Sequence, residues 1–165
     1  MLGFLVIMVA LIFTIISTAI VIKCANKYGF VVYPSEGRWH TKPTALLGGI
    51  AICFGFLIPV LTVYRDWQIS YLLFVLCSLF MFIVGLIDDL KPLKPKMKLV
   101  LQVVISSITV FAGFQLETGY GYFIDLIISI IWIVGITNAV NLIDNMDGFS
   151  TGISLIASLV VFSIA

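Results

Sequence analysis

Charge is what this sequence has least of. Asp, Glu, Lys and Arg together make up 10% of 165 residues, against 62% hydrophobic residues and a mean hydropathy of +1.23. Soluble domains carry roughly 25% charge, so a water-soluble globular fold is excluded. Cysteine is scarce and scattered: Cys24, Cys53 and Cys77 have neither disulfide-framework nor metal-site spacing and read as packing residues. The first apolar run lacks a basic leader region and is too long for a secretion signal. It is therefore expected to be a membrane span. The formal net charge is only +1, which leaves no electrostatic footprint for nucleic acid.

What the chain has in abundance is long uncharged runs: 1–22, 44–64, 67–87, 99–116, 126–143 and 148–165. Crossing the roughly 30 Å hydrocarbon core takes about 20 mostly apolar residues in a helix. The run at 126 reaches that length if it begins near Tyr120 and carries Asp125 at its headgroup end. The fold class expected is all-α, a polytopic membrane helix bundle. One transmembrane domain covers 1–165, with about six spans near 1–22, 44–64, 67–87, 99–116, 120–143 and 148–165. The last run stops at Ala165 inside hydrophobic sequence, which reads as truncation of a longer bundle.

Threading these spans places Lys23, Lys27, Arg38, Lys42, Lys91, Lys94, Lys96 and Lys98 on one side and only Arg65 on the other. The positive-inside bias makes the basic side cytoplasmic and the N-terminus external in an inner (plasma) membrane. Trp39, Tyr64, Trp67, Tyr120 and Tyr122 fit headgroup-level anchoring. Asp88, Asp89, Asp144 and Asp147 then fall at cytoplasmic helix ends. Asp66, Glu117 and Asp125 fall outside, where solvated loop positions are the default expectation.

The acidic clusters carry the chemistry. Gly85-Leu86-Ile87-Asp88-Asp89 sets two adjacent carboxylates where a span meets water, a costly pairing unless a cation neutralises it. Mg²⁺ characteristically binds through one or two carboxylates plus substrate phosphates. A helix end already in the interface would also tolerate the pair. In Asn138-Ala139-Val140-Asn141-Leu142-Ile143-Asp144-Asn145-Met146-Asp147-Gly148, polar residues recur every three or four positions. If the helix continues, Asn138, Asn141 and Asn145 share a stripe and Asp144 and Asp147 stand one turn apart. Amides in a span need partners across a helix interface or from a ligand. Two carboxylates at i and i+3 can share a cation or divide acid, base and metal work. Gly148 permits a helix break or close backbone approach to a ligand. Arg38-Trp39-His40-Thr41-Lys42-Pro43 carries basic side chains that suit phosphate or anionic headgroups and serve equally as topology determinants, and Gly48-Gly49 allows close helix contact at the entry to the second span. The loop Lys91-Pro92-Leu93-Lys94-Pro95-Lys96-Met97-Lys98 reads mainly as a topology and anionic-lipid determinant.

Taken together, these stretches resemble the polyprenyl-phosphate N-acetylhexosamine-1-phosphate transferases, glycosyltransferase family 4. The matching residues are His40-Thr41-Lys42-Pro43 with Gly48-Gly49, Gly85 to Asp89, and Asn138 to Gly148. The resemblance implies transfer of a sugar phosphate from a UDP-N-acetylhexosamine to a polyprenyl phosphate such as undecaprenyl phosphate, with release of UMP. It implies Mg²⁺ or Mn²⁺, surrounding membrane lipids as partners, and allows a homodimer. By the same resemblance Asp88 and Asp89 are catalytic, Asp144 and Asp147 serve the metal, and Lys42, His40, Asn138, Asn141 and Gly148 contact substrate. Full members carry about ten or eleven spans of this kind, and their later half adds a metal-binding aspartate and a His-containing loop, so the 165 residues alone are expected to be inactive. Where family members commonly have an Asp, this chain has Val31-Val32-Tyr33-Pro34, and a frequent Arg-Lys pair is Gly37-Arg38.

Two other readings compete. The acceptor could be shared by a UDP-MurNAc-pentapeptide phosphotransferase of peptidoglycan synthesis. An ion-coupled transporter fragment would use intramembrane Asp and Asn along an ion path, but its acids would sit near mid-span. A CDP-alcohol phosphotransferase lacks its Asp-Gly-x-x-Ala-Arg-type motif here.

Overall fold

The computed structural model describes residues 2–32, 44–45, 47–63, 68–144 and 149–164. Within them the chain forms α1 (Leu2–Tyr28), β1 (Val31–Val32), β2 (Thr44–Ala45), α2 (Gly48–Val63), α3 (Ile69–Leu90), α4 (Pro95–Phe111), α5 (Tyr122–Ile143) and α6 (Phe149–Ile164). The strand pairing is a two-residue antiparallel ladder, Val31 with Ala45 and Val32 with Thr44, and leaves the class all-α. The segments Leu5–Tyr28, Ile69–Leu90 and Tyr122–Ile143 are long and apolar enough to cross a membrane. Gly48–Thr62 and Phe149–Ile164 are shorter apolar helices.

The burial pattern is that of a protein with lipid as solvent. Large apolar side chains such as Phe80, Ile131 and Trp132 lie more than half exposed, while Gln102, Ser106 and Ser129 are almost fully buried. Lipid tails solvate Leu and Phe as well as a core does, so helix contacts form through small residues and internal hydrogen bonds instead. The α1–α2 pair is built this way. Ala51 and Gly55 stand one turn apart on α2, and a side chain at Gly55 would collide with Thr14 of α1. The Ser17 hydroxyl donates across to the Ala51 carbonyl at 3.3 Å.

A second layer runs α3–α4–α5. Cys77 and Val84 of α3 bury against Ile105 of α4, with Met81 and Leu101 packed on them. The 77–81–84 spacing is one helix face. Pro92 and Pro95 end the helical pattern, and Pro95 starts α4, where its missing N–H costs nothing. This turns α3 sharply into α4. The helix near the expected span at 99–116 therefore begins earlier, at Pro95. It ends at Phe111 because Gly113, at φ 103°, breaks the helical path. Phe114 then folds back onto Tyr71 and Phe74, with ring centroids 5.8 and 4.8 Å apart.

Asp125 differs from expectation. It is 8% exposed rather than solvated. Its carboxylate accepts from the Thr118 amide at 3.1 Å and from the Thr118 hydroxyl. Nearby, Ser129 donates to the Asp125 carbonyl and accepts from the Leu116 amide at 2.8 Å. Lying in the first turn of α5, the carboxylate also meets the positive end of the helix dipole. Asp125 thus ties the α4–α5 connection to α5.

Candidate active site

The site is assembled at the end of the bundle where α3 turns into α4 and α5 ends. Asp88 holds that turn. One carboxylate oxygen accepts from the Leu93 amide at 2.9 Å and the other from the Lys98 ammonium at 2.7 Å. Lys98 also donates to the Asn141 side-chain oxygen of α5 at 3.1 Å. One cation therefore joins three helices. A turn deeper, the Asn138 amide donates to Gln102 at 2.7 Å and to its own helix at the Val134 carbonyl. The return bond, from Gln102 to the Asn138 oxygen, is longer at 3.5 Å. Lys98 and Gln102 are four apart on α4, and Asn138 and Asn141 three apart on α5, so antiparallel packing stacks two polar rungs.

Asp89 and Asp144 are placed differently. Neither carboxylate has a hydrogen-bond or ion-pair partner among the described residues. Both Asp88 and Asp144 act on Asp89 as like charges, against the opposite charge of Lys98. Asp144 caps α5, and its amide donates to the Val140 carbonyl at 3.0 Å. Among the described residues, helix α5 runs to Ile143. Asn145, Asp147, Gly148, His40 and Lys42 lie outside the described residues.

A cavity of about 480 Å³ opens onto this end. Lys98, Gln102, Asn141 and Asp144 line it from α4 and α5, Gly85 from α3, and Ser150, Thr151 and Ser154 from α6. Asp88 and Asp89 do not line it; Asp88 reaches it through Lys98. The site residues assigned from the sequence are thus partly gathered. Lys98 joins Asp88 to Asn141, Gln102 pairs with Asn138, and Asp89 and Asp144 have no partner among the described residues. Lys98, Gln102 and the α6 hydroxyls were not singled out from the sequence. Lys98 reads with its neighbouring lysines as a topology and lipid determinant, and Gln102 is a polar residue within a hydrophobic span.

Among the described residues, no three His, Cys, Asp or Glu side chains gather closely enough to hold a metal ion. Asp89 and Asp144, without partners among the described residues, have the donor chemistry of a divalent-cation site that completes its shell with substrate phosphates and water.

Fold and site define a helical membrane protein with an acid- and amide-lined cavity at one end of its bundle. The family model described as glycosyl transferase family 4 matches residues 71–165, and the chain belongs to that family. A Bacillus subtilis (strain 168) protein described as a probable undecaprenyl-phosphate N-acetylglucosaminyl 1-phosphate transferase is 31% identical over 159 residues, covering 90% of this chain and 44% of its own. The undecaprenyl-phosphate alpha-N-acetylglucosaminyl 1-phosphate transferase of Thermotoga maritima is 30% identical, over 87% of this chain and 46% of its own. A phospho-N-acetylmuramoyl-pentapeptide-transferase of Limosilactobacillus reuteri is 33% identical, over 81% of this chain and 47% of its own. The chain spans less than half the length of each of these relatives. No solved structure matches it.

Proposed function

We propose that this chain is the front part of an enzyme that moves N-acetylhexosamine 1-phosphate from a UDP-sugar to a polyprenyl phosphate. Undecaprenyl phosphate is the acceptor, UMP leaves, and the product begins a cell-wall or surface polysaccharide. The observation that carries the reading is the joining of Asp88, Lys98 and Asn141 beside a cavity that also holds Asp144, in a chain of this family. The bundle lies in the plasma membrane with its N-terminus outside and this cavity facing the cytoplasm, where UDP-sugars are.

In the reaction, an oxygen of the lipid phosphate forms a bond to the β-phosphorus of the UDP-sugar. The bond from that phosphorus to the bridging oxygen breaks, and UMP leaves with the electron pair. A phosphate monoester has its second pKa near 6, so the attacking oxygen is largely ionised at neutral pH. Positioning and charge compensation then matter more than proton abstraction. Lys98, steadied by Asp88 and Asn141, presents a positive charge to the incoming phosphates. Asp89 and Asp144, with Asp147, would hold Mg²⁺ or Mn²⁺, which would supply charge stabilisation on the transferring and leaving phosphates. Gln102 and Asn138 fix α4 against α5, and His40, Lys42 and Gly148 contact the substrates.

The test is UMP release from UDP-GlcNAc and undecaprenyl phosphate by the full-length protein. Asp89→Asn and Asp144→Asn should each lower the rate about a hundredfold or more. Unchanged rates in both would overturn the site. Turnover of UDP-MurNAc-pentapeptide instead of UDP-GlcNAc would overturn the donor assignment and leave the acceptor.

A further inference from the structure

A second cavity, of about 280 Å³, lies between α2 and α3. Gly49, Ile52, Cys53, Phe56, Ser78 and Phe82 are among its lining residues. Its wall is apolar, since the Ser78 hydroxyl is taken up by the Phe74 carbonyl at 2.8 Å. Ile52 lines this cleft and the polar cavity alike, so the two spaces adjoin there. The cleft also has a direction. At one end Gly49, in the first turn of α2, faces Phe82, six residues before Asp88. From there it runs away from the carboxylates toward Leu57, eight residues on and about 12 Å along the helix. Gly49 keeps the near end wide. A Cβ there would stand 3.6 Å from the Phe82 ring, and any longer side chain would enter the cleft.

We propose that this cleft holds the first isoprene units of the acceptor lipid while its phosphate lies in the polar cavity beside Lys98. The inference rests on the function proposed above. An amphiphile with a single charged end needs a polar pocket and an apolar trough that meet, and Ile52 is where they meet. A phospholipid would bring a bulkier diacyl headgroup to the same place. The aromatic walls at Phe56 and Phe82 suit a flat, methyl-branched alkene chain.

Cys53 lines the cleft and reports on its occupant. With the full-length protein in nanodiscs of fixed phospholipid content, alkylation of Cys53 by a small membrane-permeant maleimide can be followed by mass spectrometry. Undecaprenyl phosphate at about ten times its dissociation constant should slow labelling roughly tenfold, whereas UDP-GlcNAc alone should not. Gly49→Leu, which improves helix propensity while plugging the near end, should raise KM for undecaprenyl phosphate about tenfold, the equivalent of roughly two lost methylene contacts. Its KM for UDP-GlcNAc should stay the same, and its preference for undecaprenyl over geranyl phosphate should shrink. Cys53 labelling unaffected by undecaprenyl phosphate in a protein that still releases UMP would overturn the cleft assignment and leave the function standing. Labelling governed by phospholipid content alone would overturn it equally. Protection of Cys53 by undecaprenyl phosphate without any sugar-phosphate transfer would support the cleft and remove the proposed reaction.

Discussion

Lys98→Met isolates the contribution of a cation that joins α3, α4 and α5. The substitution keeps the length and apolar stem of the side chain but removes its charge and both hydrogen bonds, to Asp88 at 2.7 Å and to Asn141 at 3.1 Å. The ion pair is well sheltered, with side-chain exposures of 17% and 20%. Solvent therefore screens it less than a surface pair. A hydrogen bond to a charged group contributes roughly 1.5–3 kcal/mol, which corresponds to about a ten- to a hundredfold loss in kcat/KM if the geometry serves the reaction. Among the described residues, removing Lys98 also takes away the ammonium that offsets Asp88 and Asp144 around Asp89, so the larger figure is expected. The assay is UMP release by the full-length protein at saturating Mg²⁺, with Asp88→Asn and the double variant measured alongside. Because Asp88 acts through Lys98, the double variant should be little worse than Lys98→Met alone. Lys98→Arg should recover part of the rate. Strict additivity, or a rate within twofold of wild type for Lys98→Met, would refute the reasoning.

Three further outcomes follow from the same contacts. Gln102→Leu or Asn138→Leu each strands a partner in a dry interface and should lower stability by about 1–3 kcal/mol; the double leucine variant should recover much of that, read from thermal unfolding in detergent. Gly55→Leu should separate α1 from α2, because the added side chain collides with Thr14; a cysteine pair engineered across that interface should then lose its crosslinking. Asp125→Ala leaves the Thr118 amide and hydroxyl unpaired and should expose the 112–121 connection to proteolysis, with little effect on the intrinsic affinity for UDP-sugar.

The all-α membrane class was legible because apolar run length is a direct physical constraint in lipid. The aspartates were legible because charge in an oily chain has few cheap explanations. Their partners were harder to see. Lys98 sits in a run of lysines that topology alone accounts for, and nothing local separates it from Lys94 or Lys96. Its distinction is that α4 starts at Pro95, which turns position 98 inward against Asp88 and Asn141. Gln102 follows from the same register. Asp125 misled for a related reason: a carboxylate near a span end reads as solvated, and only the fold-back of Thr118 buries it. The spacing of Asp144 and Asp147 bears on residues outside the described ones, beyond the end of α5 at Ile143. What is missed in each case is a tertiary partner from another element.

The charge balance of the site bears on how it can work. Among the described residues, Asp88, Asp89 and Asp144 face one ammonium, Lys98, which Asp88 already engages. A lipid phosphate and a sugar diphosphate would each add further negative charge beside these acids. Left so, the cavity would repel both substrates of the proposed reaction. Cations that arrive with or before the substrates would offset this charge at Asp89 and Asp144, which have no partner among the described residues. This predicts an ordered dependence: without Mg²⁺ or Mn²⁺ the full-length protein should fail to bind UDP-GlcNAc, rather than bind it and fail to react. Equilibrium binding in EDTA and in Mg²⁺ separates the two. Tight UDP-GlcNAc binding in EDTA would mean that Lys98, with basic residues outside the described segments, compensates the charge alone.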